Sequence, residues 1–111
     1  MKDPILEKAR ERGLADERGL YIAANVFDNG VQLGRVWAFL NGTQLHLAAL
    51  EFPAGLGEEL RSVDLTGARA ELTRFLIPLS LKLETAQGSY GFKGFRDAGP
   101  WLAAVRGCCG S

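Results

Sequence analysis

Leu79-Ser80-Leu81-Lys82-Leu83-Glu84-Thr85 sets an apolar residue at every second position with a polar one between. Side chains alternate between the two faces of a strand, so this pattern predicts a β-strand with one buried and one wet face. Working outward, the same period of two recurs at 20–28, 31–40, 43–50, 58–65, 68–76, 79–86 and 89–95. Between these runs stand Asp28-Asn29-Gly30, Asn41-Gly42, Thr66-Gly67 and Gln87-Gly88. Asn-Gly and similar pairs supply the positive φ that tight hairpins require. Pro78 breaks the chain between the fifth and sixth runs, because it cannot donate to a ladder. The expected fold class is mainly β: seven antiparallel strands as a sandwich or a partly open barrel.

Both ends of the chain change to helical character. Asp3 is a good N-cap, Pro4 suits the first helical position, and Gly13 can end the helix, so 3–13 is expected to be helical. Ile5, Leu6 and Ala9 form one narrow apolar stripe there, extended by Leu14. So short a helix is not stable alone and is expected to dock on the sheet. At the other end, Asp97 or Gly99 can cap and Pro100 can begin a second helix. Its Trp101, Leu102 and Val105 share a face before Gly107. That helix is expected to cap the open end of the sheet, with Trp101 buried. The chain thus divides into a helix and linker (1–19), a β domain (20–106) and a Cys/Gly tail (107–111).

Composition narrows the function classes. A chain of 111 residues with 47% hydrophobic and 23% charged residues fits one ordinary globular domain. A net charge of zero argues against a protein built on nonspecific nucleic-acid affinity. No run of residues is long and apolar enough to span a membrane, and Met1-Lys2-Asp3-Pro4 does not open a secretory signal, so a cytoplasmic setting is expected. Cys108 and Cys109 are adjacent in Gly107-Cys108-Cys109-Gly110-Ser111; they cannot close a stabilising loop, and a bridge between them is strained. The first reading is a reduced, unstructured tail; redox, acylation or metal association is the other. With His46 the sole histidine, no zinc set can be assembled, and no metal or cofactor is expected.

Seven antiparallel strands followed by one tryptophan-bearing helix is the order of the pleckstrin-homology superfold. Gly34-Arg35-Val36-Trp37-Ala38-Phe39-Leu40-Asn41-Gly42-Thr43-Gln44-Leu45-His46-Leu47 resembles the strand–turn–strand opening of GRAM-type and bacterial PH-like domains. Glu59-Leu60-Arg61-Ser62-Val63-Asp64-Leu65 is similar to their fourth strand. Leu81-Lys82-Leu83-Glu84-Thr85 through Tyr90-Gly91-Phe92 is similar to a later hairpin. The likeness covers about 20–106; the helix at 3–13 lies outside it. It implies a noncatalytic interaction module, with phosphoinositide head groups bound by basic residues of the first hairpin loop and its neighbours in the better-known members. Bacterial members often form homo-oligomers. Here Asp28-Asn29-Gly30, the loop from Glu51 to Gly57, and Gln87-Gly88 contain no Lys or Arg. A phosphate site needs several converging charge-assisted donors, so protein binding or self-association ranks first and a peripheral membrane lipid-binding domain second.

Several residues draw functional attention. Trp37 and Phe39 alternate with Val36, Ala38 and Leu40, so the two aromatics are expected to face outward beside Arg35. Aromatics and arginine dominate interface hot spots, and a homodimer through this face and the first helix (Ile5, Leu6) is one reading. Cover by the helix of the same chain is the other. Burying the pair against a partner would remove roughly 300 Å² of aromatic surface at about 25 cal/mol per Å². Phe52 and Leu56 are the candidate contacts of a loop that either projects toward a partner or folds over the barrel mouth as a lid. His46 shares a strand face with Gln44 and Ala48 and has no acidic neighbour at ligand spacing. Arg61, Arg69 and Arg74, with Asp64 and Glu71 interleaved, are expected to make cross-strand ion pairs. Ser89-Tyr90-Gly91-Phe92-Lys93-Gly94-Phe95 partly matches the aromatic spacing of an RNA-recognition strand but lacks its leading base, so these aromatics are assigned to the core and no nucleic-acid partner is expected. Glu58 and Glu59 point to opposite faces of a strand, and His46 has no identifiable nucleophile, so no catalytic residues are expected.

Overall fold

The computed structural model describes residues 3–53, 55–73, 79–95 and 99–109. Helix α1 (Pro4–Glu11) starts at the expected place because Asp3, in extended conformation, accepts through Oδ1 from the backbone N–H groups of Ile5 and Leu6 at 3.1 and 3.2 Å. It stops two residues early, at the Arg12 cap, and Gly13 turns the chain away with φ of 75°.

Seven strands follow: β1 (Tyr21–Asp28), β2 (Val31–Asn41), β3 (Gln44–Glu51), β4 (Gly55–Asp64), β5 (Arg69–Thr73), β6 (Leu79–Thr85) and β7 (Gly88–Phe95). All pair antiparallel in one sheet of order β4-β3-β2-β1-β7-β6-β5. The crossover that sets β7 beside β1 makes this more than a simple meander. β4 and β5 are the two ends of the sheet, which coils without closing, as the partly open form requires. Gly94 is needed where β7 leaves β1: its φ is 71°, and a Cβ there would meet Asn25 at 2.8 Å.

Helix α2 (Gly99–Cys108) packs Trp101, Leu102 and Val105 into the main core with Ala24, Val36, Ala38, Leu40, Leu47, Leu83 and Phe92. Trp101 is 2% exposed, and its indole N–H donates to the Ala38 carbonyl at 3.1 Å. Its ring lies 6.0 Å from Phe92 and 6.2 Å from Phe95, so the aromatics of the last strand are core groups, as expected. Gly107 and Cys108 belong to α2 rather than to a loose tail, and both cysteines pack against the core. The helix continues because its last apolar positions still meet the sheet. The proposed Asp97 cap, Arg74 and Pro78 lie outside the described residues.

A second apolar layer sits on the outer face of β1–β4. Phe39, Ala48 and Leu56, with Tyr21 and Trp37, pack against Ala9, Leu14 and Ala15, joined by Ile5 and Leu6. This accounts for the apolarity of β1 and β2 on both faces: one face meets α2 and the main core, the other meets α1.

Candidate functional site

The α1 face is fastened by polar bonds as well as by packing. The Tyr21 hydroxyl donates to the second carboxylate oxygen of Asp3, so one side chain caps the helix and ties it to β1. The Tyr21 ring stacks on Phe39 at 5.2 Å and meets Trp37 edge-on at 5.8 Å. Burial, and after it the bond to Asp3, pushes the Tyr21 phenol up to about 12. The same bond is the largest cause of the lowered Asp3 carboxyl. The Trp37 indole donates to the Gly55 carbonyl at 2.9 Å, and Arg12 reaches the Gly57 carbonyl at 2.8 Å. The linker is held at the β2–β3 turn. Asp16 accepts from Gly42 N at 2.8 Å, Arg18 donates to Asp16 and to the Gly42 carbonyl at 2.8 and 3.0 Å, and Asn41 donates to the Gly13 carbonyl at 2.8 Å. The Arg18 bond, partly offset by burial, holds the Asp16 carboxyl down at about 2.

The outward aromatic pair is therefore oriented as expected but not open. Phe39 is 0% exposed and Trp37 is half-buried beneath the chain's own helix, together with Ile5 and Leu6. The aromatic surface that an association would draw on is largely absent, because an amphipathic helix tethered a few residues away reaches it at far lower entropic cost than a second molecule. Arg35 stands apart from this cluster: it is exposed and donates to the Gly94 carbonyl at 3.2 Å.

The loop pair also separates. β4 begins at Gly55, three residues before the expected start, so Leu56 is a buried strand residue in the α1 layer. Phe52 stays on the β3–β4 connection and is 97% exposed. The lid expectation fails for Phe52, since the strand takes up the residues that would have folded it back.

At the first hairpin loop, polar groups bond to one another. Arg61 Nε donates to Asp28 at 2.7 Å, which draws β4 across to the end of β1. Arg61 thus pairs outside its own strand neighbours, contrary to the cross-strand expectation. Asn29 and Ser89 exchange two bonds of 2.7 and 3.0 Å, and Gln87 bridges Ser62 O and Asp64 N at 2.9 and 2.8 Å. Farther round the sheet, Arg69 lies opposite Glu84 and Glu71 opposite Lys82, a face of mixed charge with Lys82 paired to Glu84 at 3.2 Å.

His46 does have an acidic partner, which spacing along one strand could not show. Its Nδ1 lies 2.5 Å from Glu59 Oε2, across the β3–β4 ladder. Ser62, opposite His46, gives its hydroxyl to Gln44 at 3.4 Å. Among the described residues no group of three or more His, Cys, Asp or Glu could hold a metal, and no helix is long and apolar enough to cross a membrane.

No protein-family model matches the sequence, and no curated protein matches it either. The structure is similar to the crystal structure of the pleckstrin homology domain of ArhGAP27. The TM-score is 0.55 at 20% identity, over 78% of this chain and 96% of that one. With the seven-stranded antiparallel sheet and capping helix, this places the chain in the pleckstrin-homology-like fold.

Proposed function

We propose that this chain is a noncatalytic PH-like interaction module that binds protein, with a second copy of itself as the first partner to test. The supporting observation is the state of the first hairpin loop. It contains no base, its acid Asp28 is matched by Arg61, and Asn29 and Gln87 are held by internal bonds, so nothing there offers a phosphate the converging donors it needs. Among the described residues the large apolar groups that remain outside are Phe52 and Val31, with Trp37, Ile5 and Leu6 half-buried. Zero net charge sets no long-range barrier between copies. The pairing of His46 with Glu59 reads as a strand–strand tie in this proposal, because the Ser62 hydroxyl is directed to Gln44.

Two measurements test the reading. Flotation with vesicles of phosphatidylcholine, phosphatidylserine and a phosphoinositide is expected to leave the protein at the bottom at both low and high salt. Salt-sensitive flotation would instead establish the lipid-binding alternative. Sedimentation at micromolar concentration is expected to show a dimer weakened by Phe52→Ser or Val31→Ser, the two large apolar groups left exposed among the described residues. A monomer throughout would move the partner to another protein.

A further inference from the structure

The corner where α2 ends carries chemistry that the packing does not use. Cys108 is the last residue of α2, and Cys109 follows it outside the helix. Cys108 Sγ reaches the Gly42 carbonyl at 3.6 Å, and the Arg18 guanidinium donates to that same oxygen at 3.0 Å. A thiol and a cation therefore converge on one acceptor. Asp16 fixes the guanidinium there with two-pronged bonds and offsets part of its charge. Cys109 has a different setting: burial, and after it the neighbouring Cys108 sulfur, pushes its thiol up. Both residues are half-buried and carry free thiols.

We propose that Cys108 and Cys109 form a reversible dithiol site for low-molecular-weight disulfides, with Cys108 attacking and Cys109 resolving. In the first step Cys108 gives up its proton to solvent and its thiolate bonds to one sulfur of the small disulfide, whose S–S bond breaks, and one small thiolate leaves. In the second, Cys109 gives up its proton to solvent and its thiolate attacks Cys108 Sγ. The mixed disulfide breaks, a second small thiolate leaves, and an S–S bond joins the two residues. One disulfide is reduced to two thiols and one pair of cysteines is oxidised, so electrons balance. Cys108 is assigned the attack because its sulfur stands at the end of α2 where the Arg18 guanidinium reaches the same carbonyl, whereas burial disfavours the Cys109 thiolate. Resolution is feasible because Cys109 has left the helix. Sulfurs on successive helical residues diverge by about 100°, whereas a residue past the last turn can swing back. The strain of the resulting ring makes it readily reducible, which suits a reversible site rather than a structural bridge.

The test uses the reduced full chain with glutathione disulfide, followed by alkylation of remaining thiols and mass spectrometry. Wild type is expected to lose both titratable thiols, retain no glutathione, stay free of intermolecular disulfide, and recover both thiols with dithiothreitol. Cys109→Ser is expected to stop with one glutathione on Cys108. Cys108→Ser is expected to be modified about tenfold or more slowly than Cys109→Ser. Circular dichroism confirms that each near-isosteric variant is folded. Persistence of two alkylatable thiols, a glutathione adduct retained by wild type, a covalent dimer, or equal rates in the two variants would each overturn the proposal.

Discussion

Asp3 joins two levels of structure through one carboxylate: Oδ1 receives two backbone N–H groups of α1 and the other oxygen receives Tyr21. Tyr21→Phe is expected to cost about 1 kcal/mol, the net value of one hydrogen bond, in urea unfolding. The sign of the pH effect follows from the raised phenol. Its unfolded value lies near 10 and its folded value at about 12, so the neutral form is the one stabilised in the fold. That stability is fully present below pH 10 and is lost as pH rises from about 10 to about 12. An absorbance titration is expected to show one tyrosine ionising near 12, and Asp3→Asn is expected to bring it down. Trp101 matters more to stability than Tyr21. Trp101→Ala removes a buried ring and its bond to the Ala38 carbonyl, and denaturant melts are expected to show a loss of ~3–5 kcal/mol.

At the scale of the element, α1 is held by its apolar stripe and by the linker bonds at the β2–β3 turn. Ala9 is fully buried, so Ala9→Asp sets a charge into that layer and is expected to destabilise the protein by at least about 2 kcal/mol. The Trp37 environment should become wetter in the same variant, read as a red shift of fluorescence. Acid should act on the same element from the linker side. Asp16 and Asp3 are both lowered in the fold, so they contribute stability above pH 3.8 that is lost as pH falls below that value, for Asp16 toward about 2. Limited proteolysis between pH 4 and 2 with an acid protease is expected to cut the 12–19 linker before the sheet. Equal cutting in both places would mean that α1 and the sheet melt as one unit.

At the scale of the whole molecule, two apolar layers on opposite faces of one half-sheet leave few large apolar groups outside; among the described residues these are Val31 and Phe52. Phe52→Ser is therefore expected to change unfolding free energy by no more than about 0.5 kcal/mol, so that any loss of association it causes reads as lost contact rather than lost folding. The polar half of the outer face, where Arg69, Glu71, Lys82 and Glu84 mingle, offers no single sign of charge to a membrane or nucleic acid.

Much of this architecture was legible from local pattern alone. The leucine alternation at 79–85, the Asn-Gly and Gln-Gly turns, the Asp3-Pro4 helix start and the Trp101 anchor each depend on periodicity or backbone chemistry within a few residues, which a sequence carries directly. The alternation of Trp37 and Phe39 against Val36, Ala38 and Leu40 likewise showed which face each occupies. What occupies the space beyond a face is a long-range matter. Only the tertiary structure decided that α1 of the same chain covers Phe39, that Phe52 and Leu56 part company, that Arg61 finds Asp28 and His46 finds Glu59, and that Cys108 meets Arg18 at Gly42. The hydrogen bonds among these join residues up to 66 positions apart. Side-chain type constrains such partners only by charge and polarity, while the coil of the sheet and the angle of each helix select one among many.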